Sequence, residues 1–266
     1  MVNRRVLLHE ISPIRKSWKI CVKIIRFWSI HRDYNLPAVG RISMILMDEN
    51  GNQIVGFLRK ALISNFEQIF EEGSLVLISN FEVVDNTDSN NIVNHRYKLA
   101  FSRTTRMKVI DKIGDSLYGF RFSHFQDFLS LKTDLKLTFD LVGRMIYYHS
   151  DDDVYGGKER KKLYLDLQDL AGNRVSRLLF GGFADELSAY LGCHGDGVEG
   201  PCIVLVIRFA KVVFCGGIPY FTNCSLATNM LINPDLPEVS YFTGIYDEND
   251  NDSDSNSDAC SDVLDF

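Results

Sequence analysis

Residues 41–58 read RISMILMDENGNQIVGFL, and residues 162–179 read KLYLDLQDLAGNRVSRLL. Laid over each other without a gap, they match Leu46 with Leu167, Asp48 with Asp169, Gly51 with Gly172 and Asn52 with Asn173. The apolar positions Ile42/Leu163, Met44/Leu165 and Ile54/Val175 keep the same register. Each stretch reads as strand, Asp-x-x-Gly-Asn turn, strand. Apolar alternation marks a half-buried strand, while Asp, Asn and Gly supply the side-chain-to-backbone bonds and the positive φ that tight turns need. One hairpin used twice predicts a duplicated chain: a first domain over 1–112, a second over 113–244 and an acidic terminal segment over 245–266.

A chain of 266 residues with 45% hydrophobic content is long enough for two cores of ordinary size. No run approaches the ~20 apolar residues that span a bilayer, and the opening MVNRRVLLHEISPIRKSW is too polar for a secretory signal. The expectation is a soluble, unsecreted protein with no membrane partner. The six cysteines form no C-x-x-C pair, so a disulfide framework is not expected at this size. Cys193, Cys202, Cys215 and Cys224 with His194 lack the short chelate loops of structural zinc. Small buried thiols on strands account for them, and no cofactor or metal is implied.

Charge is unevenly spread. Residues 1–112 hold 17 Lys+Arg against 11 Asp+Glu, residues 113–244 hold 12 against 16, and the segment after Ile245 carries eight acidic residues and no basic one. A basic first domain points to an anionic partner. The acidic segment reads as a disordered terminus or as a screen that folds over the basic domain and competes with its ligand, an effect salt would weaken.

Along the chain, Trp18 to Ile30 alternates Ile20, Val22, Ile24 against Lys19, Cys21, Lys23, a half-buried strand. The alternation breaks at Ile25, where a bulge would re-aim Arg26 and Trp28 toward the other face. The repeated hairpin follows, then a short amphipathic helix over Lys60 to Phe70, strands over Ser74 to Val84 and His95 to Arg103, and a polar loop from Asp85 to Asn94 between them. The second half repeats the order: a strand from Lys136 to Tyr148, a polar loop from Ser150 to Arg160, the hairpin, a helix over Gly182 to Leu191, and strands over Cys202 to Phe214 and Tyr220 to Ala227. The aromatic stretch Tyr118 to Leu131 reads as a packed connector. Five strands with a helix between the third and fourth is the order of an OB-fold, so the fold class expected is mostly β: two tandem five-stranded barrels and an acidic tail.

The sequence resembles the large, DNA-binding subunit of replication protein A, in its two central tandem OB domains. The residues that carry the resemblance are Ser17-Trp18-Lys19-Ile20-Cys21, Arg26-Phe27-Trp28-Ser29 and Leu46 to Gly51 in the first half. In the second half they are Leu170 to Gly172, Leu179-Phe180-Gly181 with Ala184-Asp185, and Asn233-Pro234-Asp235-Leu236-Pro237-Glu238. The likeness covers roughly residues 7–240. It implies a nuclear protein that binds single-stranded DNA in replication, repair or recombination, without chemistry, by stacking bases on aromatics and holding phosphates with basic side chains. Other replication protein A-type subunits are implied as further partners. The large subunits of that family have, in addition, an amino-terminal interaction domain and a zinc-containing carboxy-terminal assembly domain. These residues match neither, so a shortened or diverged relative is expected.

Carried over by position, Tyr97 and Phe101 lie on the strand that offers a stacking aromatic in the first domain, and Phe180 and Phe214 match the two stacking aromatics of the second. Lys211 lies just before Phe214. Arg26 and Trp28 fall where the family presents groove residues, and Arg41, Arg59, Lys98 and Arg103 could contact phosphates. One departure stands out: the family stacks a base on a phenylalanine where this chain has Ile42. Tyr97 and Phe101 share a strand face with Leu99 and read equally well as core. Phe180 corresponds to Arg59 in the first copy, and a position that is Arg in one copy and Phe in the other belongs on a solvent or ligand face.

Two other functions compete. Ile42, the mild acidity of the second domain and the acidic tail fit an OB module that has lost nucleic acid and binds protein. An enzyme fits least, since no G-x-x-x-x-G-K-[ST], H-E-x-x-H or G-x-S-x-G occurs. Asp151-Asp152-Asp153 would suit a metal-dependent nuclease but sits in a polar stretch that reads as solvated charge.

Overall fold

The computed structural model describes residues 6–15, 17–31, 39–66, 71–88, 92–112, 119–130, 137–155, 158–194, 202–223 and 227–244. The acidic segment 245–266 lies outside them. The chain divides into two compact units, one of Met1–Arg121, Lys136–Thr138 and Cys224–Thr228, the other of Phe122–Leu135, Phe139–Asn223 and Asn229–Phe266.

In the first unit the strands are β1 (Lys19–His31), β2 (Val39–Met47), β3 (Gln53–Arg59), β4 (Ser74–Ser79), β5 (Glu82–Asp85), β6 (Tyr97–Ala100) and β7 (Arg106–Lys112). They form one curled sheet in the order β5-β6-β3-β2-β1-β4-β7, antiparallel except for β3 beside β6. Its inner face buries Trp18, just before β1, and Ile20, Val22 and Ile24 of β1 against Ile42, Met44, Leu46, Ile54, Leu58, Val76, Ile78, Leu99 and Phe101. The pairing of β1 with β2 slips between Ile24 and Arg26, so the expected bulge at Ile25 is present. Beyond it Phe27 packs against the core, which turns Arg26 and Trp28 to the other face.

The second unit holds α1 (Phe125–Leu129), β8 (Thr138–Tyr155), β9 (Lys158–Gln168), β10 (Arg174–Phe180), α2 (Gly182–His194), β11 (Val204–Cys215), β12 (Ile218–Asn223) and β13 (Asn229–Ile232). The order β12-β10-β9-β8-β11-β13 is closed by a β12–β11 pairing, so five strands make a barrel and β13 adds a sixth. The aromatic connector belongs to this core: Phe128 meets Phe139 and Phe221 edge-on, each at 4.7 Å. Mostly β, with two OB-type units in tandem, is therefore the fold.

The repeated hairpin is built twice from the same bonds. The Asp48 amide donates to the Asn52 carbonyl at 3.0 Å and Gly51 to the Asp48 carbonyl at 3.0 Å. Asp169 with Asn173, and Gly172 with Asp169, repeat both at 3.0 Å. Each carboxylate then accepts from the amide two residues on, from the amide four residues on and from the Asn side chain. Gly51 and Gly172 sit at φ 77° and 83°, a conformation nearly free of cost only for glycine. The bonds shared by the two copies all run within the turn, so the motif can be built the same way in each.

Several expectations change. The helix over Lys60 to Phe70 is a 3-10 helix over Lys60–Asn65, and residues 67–70 lie outside the described ones. The strand over Ser74 to Val84 breaks at Asn80, with φ 58°, into β4 and β5. That break carries the chain from the β1 side of the sheet to the β6 side, which a continuous straight strand could not do. β11 bends at the matching place, where Phe209 has φ 54° and its amide donates to the buried Asp140 carboxylate at 3.1 Å. β7, β13 and a helix over 237–244 had no counterpart in the sequence reading. The polar stretch Ser150 to Arg160 is mostly strand: β8 and β9 pair out to Tyr155 and Lys158, setting Asp151, Asp152 and Asp153 opposite Lys162, Lys161 and Arg160. Opposite charges across a strand pair, as at Asp151 and Lys162, favour the pairing, so an acidic run can be ladder rather than loop.

Candidate nucleic-acid interface

Strand register fixes what the outer face of the second unit displays. On β10, Val175, Arg177 and Leu179 point inward and Arg174, Ser176, Leu178 and Phe180 outward. Pairing with β9 and β8 lays out the rows Phe180–Lys162–Asp151, Leu178–Tyr164–His149, Ser176–Asp166–Tyr147 and Arg174–Gln168–Arg144. Three aromatic rings on this face are open: Phe180 at 36% exposure, Tyr164 at 39% and Tyr147 at 54%. Phe214, 53% exposed, pairs with Pro219 at the start of β12, whereas Phe180 bonds to Asn223 at its end. Lys211 pairs with Thr222 on the same strand couple.

The first unit offers a different face. There the rows are Arg59–Arg41–Ile30, Phe57–Ser43–Trp28 and Val55–Ile45–Arg26. Arg41 and Arg59 stand directly opposite one another, a like-charge pairing that weakens a sheet unless an anion joins it. The Arg41 guanidinium lies 5.2 Å over the Phe57 ring, and its Nε is buried without a hydrogen-bond partner. The remainder of the face is closed. Ser43, Ile45, Val55 and Lys98 are buried, and Trp28 is 9% exposed.

The sequence candidates therefore separate. Arg41 and Arg59 stand opposite one another on β2 and β3, Phe180 lies on the outward face of β10, Phe214 is open on β11 at the parity of the buried Val212, and Arg103 is exposed in the turn after β6. Tyr97 is half-buried with Arg96 5.2 Å over its ring. Phe101 is core, as the packing alternative had it. Lys98 is corrected too: its ammonium is held by Asp88 at 2.8 Å, so it offers no open phosphate contact. Arg26 is also engaged, with Glu72 at 2.8 Å and the Ala227 and Thr228 carbonyls at 3.2 Å. Tyr147 and Tyr164 were missed. The repeat held the signal for Tyr164, which corresponds to Ser43 on the outward-facing parity. Tyr147 lies opposite Asp166 as Arg26 lies opposite Ile45, past a bulge in each copy, so only the slipped register finds it. Among the described residues no group of three His, Cys, Asp or Glu could hold a metal ion.

Behind the outer face the two cores differ at equivalent positions. In the first unit a Cβ on Gly56 would fall 2.7 Å from the Phe101 ring, so that ring fills the place of a side chain at 56. In the second unit the counterpart of Gly56 is Arg177 and that of Phe101 is Asn223, by the matching parallel pairings of Gly56 with Leu99 and Arg177 with Phe221. Arg177 is fully buried, its Nε, Nη1 and Nη2 have no hydrogen-bond partner, and the Phe221 ring is 5.9 Å away. Burial alone lowers its pKa from the ordinary guanidinium range to about 9.

Two curled β units in tandem, with open rings along β9 and β10 of one and opposed arginines on β2 and β3 of the other, make a tandem OB-type protein. The chain is similar to replication protein A large subunits: it is 25% identical over 247 residues to a replication protein A 70 kDa DNA-binding subunit of Oryza sativa subsp. japonica, 89% of this chain and 25% of that one. It is 24% identical to the relative of the same description in Arabidopsis thaliana, covering 89% of this chain and 37% of that one. With the Mus musculus relative the identity is again 24%, covering 92% and 38%. It thus spans between a quarter and two-fifths of these relatives' length. A domain of unknown function, DUF223, matches residues 9–130. Among solved structures, a replication protein A heterotrimer bound to ssDNA superposes with a TM-score of 0.59 at 22% identity, over 92% of this chain and 55% of that one, which bears out the fold.

Proposed function

We propose that the chain binds single-stranded DNA without strong sequence preference and without chemistry, the second unit by stacking and the first by charge. The observation that carries this is the set of open rings Tyr147, Tyr164 and Phe180 on one outward face of the second unit. A folded unit that leaves so many rings unburied on a single face has somewhere to put them, and every base offers a π-face. The relatives' names, DNA-binding subunits of replication protein A, support the same reading. A nuclear location, service in replication, repair or recombination, and association with other subunits of that type follow from the likeness.

The test is fluorescence anisotropy with an unstructured oligonucleotide across a salt series. Tyr164→Ala and Phe180→Ala are expected to lower affinity about 5- to 100-fold, from ~1–3 kcal/mol per stacked base, with little change in salt slope. Arg41→Gln is expected to lower the slope by about 1. Absence of binding even at low salt would overturn the proposal. A second reading rests on the closed face of the first unit, with buried Ser43, Ile45 and Val55: an OB surface given over to protein. Affinity and slope both indifferent to Arg41→Gln and Arg59→Gln would favour it for that unit.

A further inference from the structure

β12 ends at Asn223, while β10 runs on to Phe180. Lys162 lies opposite Phe180 on one side, and Gly181 rather than Phe180 donates to that neighbouring strand, to the Lys161 carbonyl at 3.3 Å. The main-chain groups of Phe180 face the β12 side. There the Asn223 side chain holds both of them: Phe180 N–H donates to Asn223 Oδ1 at 3.0 Å, and Asn223 Nδ2 donates to the Phe180 carbonyl at 3.4 Å. A carboxamide presents the same donor and acceptor pair as a peptide unit, so Asn223 engages Phe180 as a ladder neighbour would. Asn223 itself is buried. Just beyond Phe180 the chain turns through Gly181, at φ 62°, into α2, and the Gly181 carbonyl accepts from Ala184 and Asp185. Phe180 therefore sits at a strand-to-helix corner with Asn223 as its lateral anchor. In the first unit the counterpart of Phe180 is Arg59, and the counterpart of Asn223 is Phe101, turned into the core.

We propose that Asn223 is a positioning residue of the second groove: it fixes the backbone of Phe180 and thereby aims the ring at a stacked base, without touching the nucleic acid. The inference rests on the proposed stacking role of Phe180. A freed Phe180 backbone would let the ring sample several directions, and ordering it again on binding costs affinity.

The experiment is a double-mutant cycle in the full chain, Phe180→Ala, Asn223→Ala and both, read by anisotropy with a fluorescent single-stranded oligonucleotide over a salt series, alongside thermal melting. Asn223→Ala is expected to weaken binding about tenfold at unchanged salt slope, and the double variant to bind no worse than Phe180→Ala. Asn223→Asp, which keeps the acceptor for the Phe180 N–H and loses the donor, is expected to fall between wild type and Asn223→Ala; it also stands in should the alanine variant melt early. If losses multiply in the double variant, or both Asn223 variants bind like wild type while Phe180→Ala does not, the positioning role is overturned and stacking stands. If Phe180→Ala binds like wild type, the stacking reading itself fails.

Discussion

Arg177 is a buried charged side chain of the second barrel that packing alone does not explain. A guanidinium without partners inside a barrel opposes folding, and replacing buried charge with an apolar side chain of similar size stabilises by ~1–4 kcal/mol in comparable cases. Arg177→Met is expected to raise the urea midpoint of the second unit accordingly. The pH dependence has a definite sign. Burial lowers the folded pKa to about 9, well below the ordinary guanidinium value, so the unfolded chain holds this proton more tightly. The penalty is complete below about pH 9 and fades as pH rises from there. The gap in unfolding free energy between wild type and Arg177→Met is therefore expected to be constant from pH 7 to 8 and to narrow by pH 10. A gap that stays flat through pH 10 would assign the effect to shape rather than charge. The irregular parity of Val175, Arg177 and Leu179 was visible in the sequence. That Arg177 stays inward was not, because only the paired loss of Phe101's counterpart makes room for it.

At the scale of elements, the hairpin was legible and the strands around it were not, for one physical reason. Its bonds run from Asp48 and Asp169 to atoms two and four residues away, so the pattern that makes the turn is contiguous. β7 and β13 owe their pairing to β4 and β11 far along the chain, and RMKVIDK alternates too weakly to announce a strand. The acidic half of the β8–β9 arm reads as loop until the basic run opposite is set in register. The two turns also differ in load. Asp48 accepts a further bond from the Leu8 amide at 2.8 Å, tying the segment before β1 to the turn. Asp48→Ala is thus expected to cost more stability than Asp169→Ala, on the order of 2–4 against 1–2 kcal/mol, as two or more charge-assisted bonds are lost. Chemical denaturation of the two variants checks the order. For the β8–β9 pair, Asp151→Lys faces Lys162 with a like charge and is expected to speed hydrogen exchange around 151 and 162 while leaving β10 protected.

For the whole molecule, the sequence carried the number of units, their fold and the division of charge between them, since these depend on composition and on a repeat. It did not carry which face of each unit stays open, because that is decided by side chains remote in sequence, as with Lys98 held by Asp88. Removing residues 246–266, with their seven Asp and one Glu, is expected to raise oligonucleotide affinity at low salt and to make no difference at high salt. Equal affinities at low salt would show that the tail does not compete. The exchange of Gly56 and Phe101 for Arg177 and Asn223 has a consequence for transplants. By sequence the two hairpins look like interchangeable parts, yet a graft of β9–β10 into the first unit would drive Arg177 into the Phe101 ring. The reverse graft would leave a void where Arg177 was and strip Asn223 of the phenylalanine it anchors. Two copies that began as spares for one another can no longer be repaired from each other's sequence, one segment at a time.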